Sequence, residues 1–394
     1  MMRVILYTGK GGTGKSVLAA ATAVQVAARG QRTLLLSADH AQTIPLLLGA
    51  AVEPVPTAIT PKLQVMQLDP LRELQELYPA IQEYLLSLVR AEGLDELLVH
   101  AVTALPITAE LVALTKLVEL VDSGKYDVIV LDTLPSGEAL RCMYLLTLLG
   151  ANATTLTNLV APFASVAKVA EPLVGIPTPG KEVLSATIKH VEQLRRLKAI
   201  LLDHAVTSLR VVANPEPISL QHAKRTVLLA KLYGLNPELL ILNRVLAGSA
   251  EAGYPEPWTR AHAEHLGAAE AAFRPVPVRK VSCFPPDVSG RRLIAAIGAE
   301  LFGAEDPAQI YFEGEPIVIR ESDRRLEVIV PLPAAGACHG DCDVERVGED
   351  LSILMATEIG DVRHFVPLTA AADWWKLASA KRTDGQLVIS FIKG

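Results

Sequence analysis

Gly9, Gly14, Lys15 and Ser16 stand at the spacing G-x-x-x-x-G-K-[ST], with Lys10, Gly11, Gly12 and Thr13 between them. These residue types in this order can grip a polyphosphate. Glycines let successive backbone N–H groups turn inward as an anion nest, and a helix starting at the end of the run adds its positive N-terminus. Lys15 would then reach the β- and γ-phosphates, and the Ser16 hydroxyl would ligate Mg²⁺. Gly11, Gly12, Thr13, Gly14, Lys15, Ser16 and Val17 are therefore the candidate nucleotide-binding residues. Lys10 is a second lysine, placed where the general pattern asks for nothing.

The flanking residues fit the elements such a loop needs. Apolar residues 4–7 read as a buried strand and alanine-rich residues 16–28 as a helix. Residues 33–37 and 128–131 are further short apolar strands, ending at Asp39 and Asp132. Between them, residues 71–121 read as helical, with Leu111, Leu114, Leu117, Val118 and Val121 on one face. Residues 138–204 read as mainly helical, broken at 175–180. Strands at 209–213, 239–242 and 276–281 then alternate with helices at 219–233, 258–273 and 290–301. Such alternation predicts an α/β fold with a mainly parallel sheet covered on both faces. Ligands sit beyond the carboxyl ends of such strands, which would bring the glycine loop, Asp39, Asp132, Asn214 and Asn243 to one site. From about residue 308 the pattern changes to short strand-like runs at 317–319, 326–330, 353–356, 363–366 and 387–391, read as a small all-β sandwich. The expected domains are 1–305, with helical insertions at about 50–120 and 140–205, and 306–394, with acidic residues 303–307 as the linker.

Composition narrows the function classes. Of 394 residues half are hydrophobic and only 5% aromatic, and the mean hydropathy is +0.32. This suits alanine- and leucine-rich helices around a buried sheet, with an exposed apolar surface allowed. A net charge of −6 argues against a nucleic-acid binder. The early first strand leaves no room for a secretion signal, and four cysteines are too few for a disulfide scaffold, so a cytoplasmic protein is expected. Uncharged residues 142–167 are long enough to span a bilayer, but Thr147, Asn152, Thr154, Thr155, Thr157, Asn158 and Pro162 make them a poor lipid-facing helix. No transmembrane segment is expected.

Lys10–Ser16 resembles the signature-lysine P-loop of partitioning ATPases, nitrogenase iron protein and the arsenite-pump and tail-anchored-protein-targeting ATPases. Asp132-Thr133-Leu134-Pro135-Ser136-Gly137-Glu138-Ala139-Leu140-Arg141 resembles the D-T-A-P-T-G-H-T-L-R switch of the last group. Ser37-Ala38-Asp39 is similar to its S-T-D switch, Ile241-Leu242-Asn243-Arg244 to its V-V-N-Q segment, and residues 214–220 to its P-E-x-x-S-L stretch. The likeness spans residues 1–301. The final strands, with 384–393 like D-G-x-L-x-I, resemble an α-crystallin-like domain.

The resemblance implies a P-loop NTPase with a helical subdomain, working as a homodimer closed around two ATP molecules and hydrolysing them to ADP and phosphate. Lys10 would cross to the partner's nucleotide, Asp39 would activate the attacking water, and Asp132 would hold Mg²⁺ through a water. Asn214, Asn243, Phe284 and Pro285 are the expected adenine-side residues. Hydrophobic helices of membrane proteins are the implied clients, with transient membrane association allowed. A general holdase, a partitioning-type switch and an arsenite-pump subunit are the rival readings.

Several positions depart from that pattern. Asp39-His40-Ala41-Gln42 replaces D-P-A-H, and Glu138 replaces the switch histidine. The zinc-bridging C-x-x-C is missing, and Cys283 stands alone near its place. With five methionines the chain has no methionine-rich client helix, so a client groove falls to Leu, Val and Ala within 145–199. Cys338-His339-Gly340-Asp341-Cys342 carries metal-capable side chains, but without a second cysteine pair it reads as a surface turn.

Overall fold

The computed structural model describes residues 2–38, 43–69, 106–133, 181–246, 256–284, 289–314, 318–322, 324–331, 342–347, 350–357, 360–367, 375–383 and 386–393. Strand β1 (Arg3–Gly9) is buried along its whole length, as a strand covered on both faces must be. Around it run β2 (Thr33–Ser37), β3 (Thr57–Thr60), β4 (Leu63–Gln67), β5 (Val128–Asp132), β6 (Thr207–Ala213), β7 (Pro237–Val245) and β8 (Val278–Ser282). They form an eight-stranded sheet in the order β3-β4-β2-β5-β1-β6-β7-β8. Every neighbouring pair is parallel except β3–β4.

The helices divide between the two faces. Helices α1 (Lys15–Ala28), α2 (Thr43–Leu48) and α7 (Arg291–Phe302) share an apolar cluster with Ile5, Tyr7, Leu35 and Val130. Helices α3 (Pro106–Asp122), α4 (Lys181–Leu202), α5 (Pro217–Leu232) and α6 (Glu256–Ala272) share the other with Val4, Leu6, Leu34 and Ile129. Alternate residues of one strand thus feed opposite layers, the period-two consequence of the pleat. Because the strands are parallel, the ends at Gly9, Ser37, Asp132, Ala213 and Val245 all open on the same side of the sheet.

One expectation is corrected here. Residues 57–67 fall in the stretch assigned to a helical insertion, yet they form the β3–β4 hairpin at the sheet edge. The strands have four and five residues, too short for their alternation to stand out from the helical pattern that follows. Residues 70–105 and 134–180, the bulk of the expected helical insertions, lie outside the described residues.

Beyond α7 the chain builds two antiparallel sheets. β9 (Val318–Glu321), β10 (Arg325–Pro331), β14 (Trp375–Thr383) and β15 (Gln386–Lys393) order as β14-β15-β10-β9, and β11 (Cys342–Val347), β12 (Asp350–Thr357) and β13 (Gly360–Pro367) form a second sheet. Alternate residues Leu326, Val328, Val330, Leu351, Ile353, Met355, Leu387, Ile389 and Phe391 make a shared apolar core. Leu228 and Leu232 of α5 belong to the same cluster, so these sheets rest on the α/β part.

The acidic stretch read as a linker is docked. Arg210 Nη2 donates to the Pro307 carbonyl at 2.8 Å and Arg3 Nε to the Ala308 carbonyl at 3.1 Å. Asn236 donates to the Phe312 carbonyl and accepts from the Gly314 N–H. Beneath them Glu238 binds Arg210 at 2.8 Å and Arg3 at 3.4 Å, with Arg210 and Glu238 wholly buried.

Candidate functional site

The glycine loop leaves β1 and turns directly into α1. Gly14 stands at φ +93° before the first helical residue, with no side-chain hydrogen bond capping the helix and no acidic residue in its first turn. The positive end of α1 is therefore not neutralised by its own sequence, which favours an anion there. A Cβ on Gly14 would run into the amide nitrogen of Asn243, and one on Gly9 into the Val212 carbonyl oxygen. Glycine at these two places lets the chain lie close against the ends of β6 and β7. Thr13 Oγ1 donates to the Lys10 carbonyl at 2.8 Å, closing the turn on itself. Lys10, Gly11 and Gly12 are exposed, Thr13 and Lys15 are buried, and Gly14, Ser16 and Val17 are half-buried.

Asp132 ends β5 beside this loop and is 0% exposed. It lies in register with Tyr7 on one side and Ser37 on the other, and Ser37 Oγ donates to its Oδ2 at 3.3 Å. Thr133 Oγ1 donates to the Tyr7 carbonyl at 2.8 Å, tying the start of the following segment to β1. A buried carboxylate next to a glycine loop and an uncapped helix N-terminus suits a hydrated divalent cation bridging to phosphate. The residues present thus fit a Mg²⁺–polyphosphate. Asp39, Leu134–Arg141 and Pro285 lie outside the described residues.

Asn243 and Asn214 leave the ends of adjacent strands. Asn243 Nδ2 donates to the Thr13 carbonyl at 2.8 Å, so its amide braces the loop. Asn214 is 7% exposed, and its Oδ1 has no hydrogen-bond partner among the described residues. A buried acceptor without a donor is costly, and a base amine would satisfy it. Asn214 lines a cleft of about 500 Å³ with Glu216, Arg244, His262, His265 and Cys283. Phe284, half-buried, packs toward the α1 face of the sheet.

Two features of this cleft had no sequence signal. Arg244 adopts φ +59°, uncommon for a residue with a side chain and a mark of functional or strained positions. His262, on α6 with His265 one turn further on, accepts the Leu246 N–H at Nε2, 3.1 Å away. Burial, then the neighbouring His265, lower its pKa below the ordinary histidine value.

Residues 2–303 match the family described as anion-transporting ATPase. The chain belongs to that family. Its members are ATPases, and so is this chain. Among relatives, "Putative arsenical pump-driving ATPase" of Prosthecochloris vibrioformis is 27% identical over 394 residues, covering 99% of this chain and 96% of that protein. A protein of the same name, numbered 1, from Aquifex aeolicus is 27% identical over 84% of this chain and 87% of its own. "ATPase ASNA1 homolog 1" of Paramecium tetraurelia is 24% identical over 62% of this chain and 75% of its own. Among the described residues no helix is long and apolar enough to cross a membrane.

Proposed function

We propose that this ATPase works as a cytoplasmic homodimer, hydrolysing Mg²⁺-bound ATP to ADP and phosphate, and that its nucleotide state opens and closes a surface for hydrophobic helices of membrane proteins. The observation that carries the nucleotide half is the uncapped N-terminus of α1 behind a glycine loop, with buried Asp132 beside it. Lys15 is assigned to the phosphates, Ser16 and Asp132 to the cation, and Asn214, Asn243, Phe284 and Pro285 to the base side. When bound, Mg²⁺ supplies charge neutralisation on the transferred phosphoryl group. Asp39 is assigned to orienting the attacking water. Exposed Lys10 is assigned to the partner's nucleotide, which makes turnover conditional on closure, as a finger residue supplied in trans does. The domain reading places residues 1–305 in the ATPase and 306–394 in an α-crystallin-like module.

The client half rests on the switch-like run from Asp132 to Arg141 and on the apolar stretch within 145–199. Asp39→Asn should bind ATP yet turn over at least about a hundredfold more slowly, the scale of losing a positioned general base. Held in ATP, that variant should capture a peptide carrying one C-terminal hydrophobic helix. Capture equal to that of an unrelated polar peptide overturns the client reading. Wild-type turnover overturns the role of Asp39.

A holdase reading, in which the β module binds unfolded chains under control of the ATPase, gains support from the packing of that module on Leu228 and Leu232. Arsenite stimulation of turnover would favour the pump role carried in the relatives' names.

A further inference from the structure

The end of β7 is held in an unusual shape. Its parallel register with β8 breaks between Leu242 and Val245, and Arg244 at φ +59° sits inside the break. A bulge of this kind re-aims side chains next to sites. Here Asn243, at the start of the break, carries its amide onto the Thr13 carbonyl of the glycine loop, while Arg244 lines the adjoining cleft. Two hydrogen bonds hold the far side of the bulge. The Cys283 N–H donates to the Val245 carbonyl at 2.9 Å, and the Leu246 N–H donates to His262 Nε2 at 3.1 Å. The first continues the β7–β8 pairing one residue past the end of β8. The second comes from α6, which packs on the sheet through Ala269 and lines the cleft.

We infer that His262 is a positioning residue for nucleotide binding: as a neutral imidazole it accepts the Leu246 N–H, and so keeps the β7 bulge in the shape that braces Thr13 and presents Arg244 to the base end of the nucleotide. This rests on the nucleotide reading given above. Only one protonation state can do it. A neutral ring with its proton on Nδ1 offers a lone pair at Nε2, whereas the imidazolium carries a proton there and meets the Leu246 N–H donor to donor. The surroundings hold the ring in the accepting form. His265 faces the cleft from the same helix, Arg244 from β7, Glu216 from the turn before α5 and Cys283 from the end of β8. Burial and the charge of His265 both disfavour protonation of His262. Its folded pKa lies below the ordinary value, so the competent form fills neutral pH and is lost as pH falls through that lowered pKa.

The test is binding of a fluorescent ATP analogue with Mg²⁺, from about pH 5 to pH 8, by the full chain and two variants. His262→Ala removes the acceptor and should weaken binding about three- to tenfold at neutral pH, the scale of one net hydrogen bond. His262→Gln supplies an amide oxygen that accepts the same N–H but does not titrate. It should bind within about twofold of wild type at neutral pH and retain that affinity at acid pH, where wild type weakens. The titration of the analogue's own phosphate affects both proteins alike, so the difference between their profiles isolates the imidazole. Alanine and wild-type affinities that coincide would overturn the inference, as would a glutamine variant that weakens at acid pH as wild type does. If His262→Ala does not fold, the glutamine profile decides alone. Wild type that binds the analogue no better than Lys15→Ala overturns the nucleotide reading itself.

Discussion

Replacing Arg210 by methionine should loosen the docked segment that leads from the α/β sheet to the C-terminal strands. Arg210 is wholly buried in β6. Its Nε donates to Glu238 at 2.8 Å and its Nη2 to the Pro307 carbonyl at 2.8 Å. The guanidinium carbon lies 5.9, 5.5 and 5.2 Å from the ring centres of Tyr7, Phe302 and Tyr311. Methionine fills much of the volume but makes none of these polar contacts. Glu238 is left with Arg3 at 3.4 Å and the Tyr311 N–H at 3.3 Å, and the Pro307 carbonyl loses this donor. Breaking a buried ion pair from one side costs about 3–5 kcal/mol. At about 2–4 °C per kcal/mol for a domain of this class, the thermal midpoint of the sheet should fall by about 6–20 °C. Amide exchange across 308–314 should rise in parallel, because the segment loses its buried anchor. Arg210→Met with Glu238→Gln also takes the carboxylate from buried Arg3, so the double variant should be no more stable than Arg210→Met alone. A midpoint within about 2 °C of wild type, with unchanged exchange in 308–314, would refute the claim that this pair holds the connection in place.

Gly14→Ala puts a side chain at φ +93° and drives its Cβ into the Asn243 amide. The empty loop can relax, but nucleotide binding must restore it, so about 2–3 kcal/mol of left-handed strain and lost hydrogen bond should appear as a 30- to 150-fold rise in Kd, read by titration of a fluorescent ATP analogue. Leu228→Asp places a carboxylate among Leu326, Val328 and Phe391. Limited proteolysis should then release a C-terminal fragment at least about tenfold faster, since burying an unpaired charge costs several kcal/mol; an unchanged rate would mean that this contact does not hold the β-rich part.

The α/β part was legible because its strands are buried on both faces and appear as short unbroken apolar runs, such as Leu34–Leu36 and Val128–Leu131, each followed by a loop residue with chemistry. What lay hidden is physically different in kind. β14 is an edge strand whose Leu377 is itself exposed, so its sequence lacks a continuous buried face. β11 alternates half-buried Cys342 and Val344 with exposed Asp343 and Glu345, an alternation too short to signal a strand. The docked connection depends on Arg3, Arg210 and Glu238, which meet only after β1, β6 and β7 are assembled; in sequence each merely interrupts an apolar run. At the site, the loop and Asp132 were readable from spacing. Arg244 and His262 were not, because a left-handed backbone at a non-glycine residue and one hydrogen bond between a helix and a strand end leave no trace in residue order.

If Lys10 makes hydrolysis depend on a second copy of the chain, ATP turnover per protein molecule must depend on protein concentration, measured over a wide range for wild type and for Lys10→Ala. Wild-type specific activity should rise with concentration to a plateau as dimers form. The Lys10→Ala variant should bind ATP normally but turn over at least about a thousandfold more slowly at every concentration, the scale of a transition-state cation supplied in trans. Specific activity independent of concentration, together with a Lys10→Ala variant as active as wild type, would contradict that dependence.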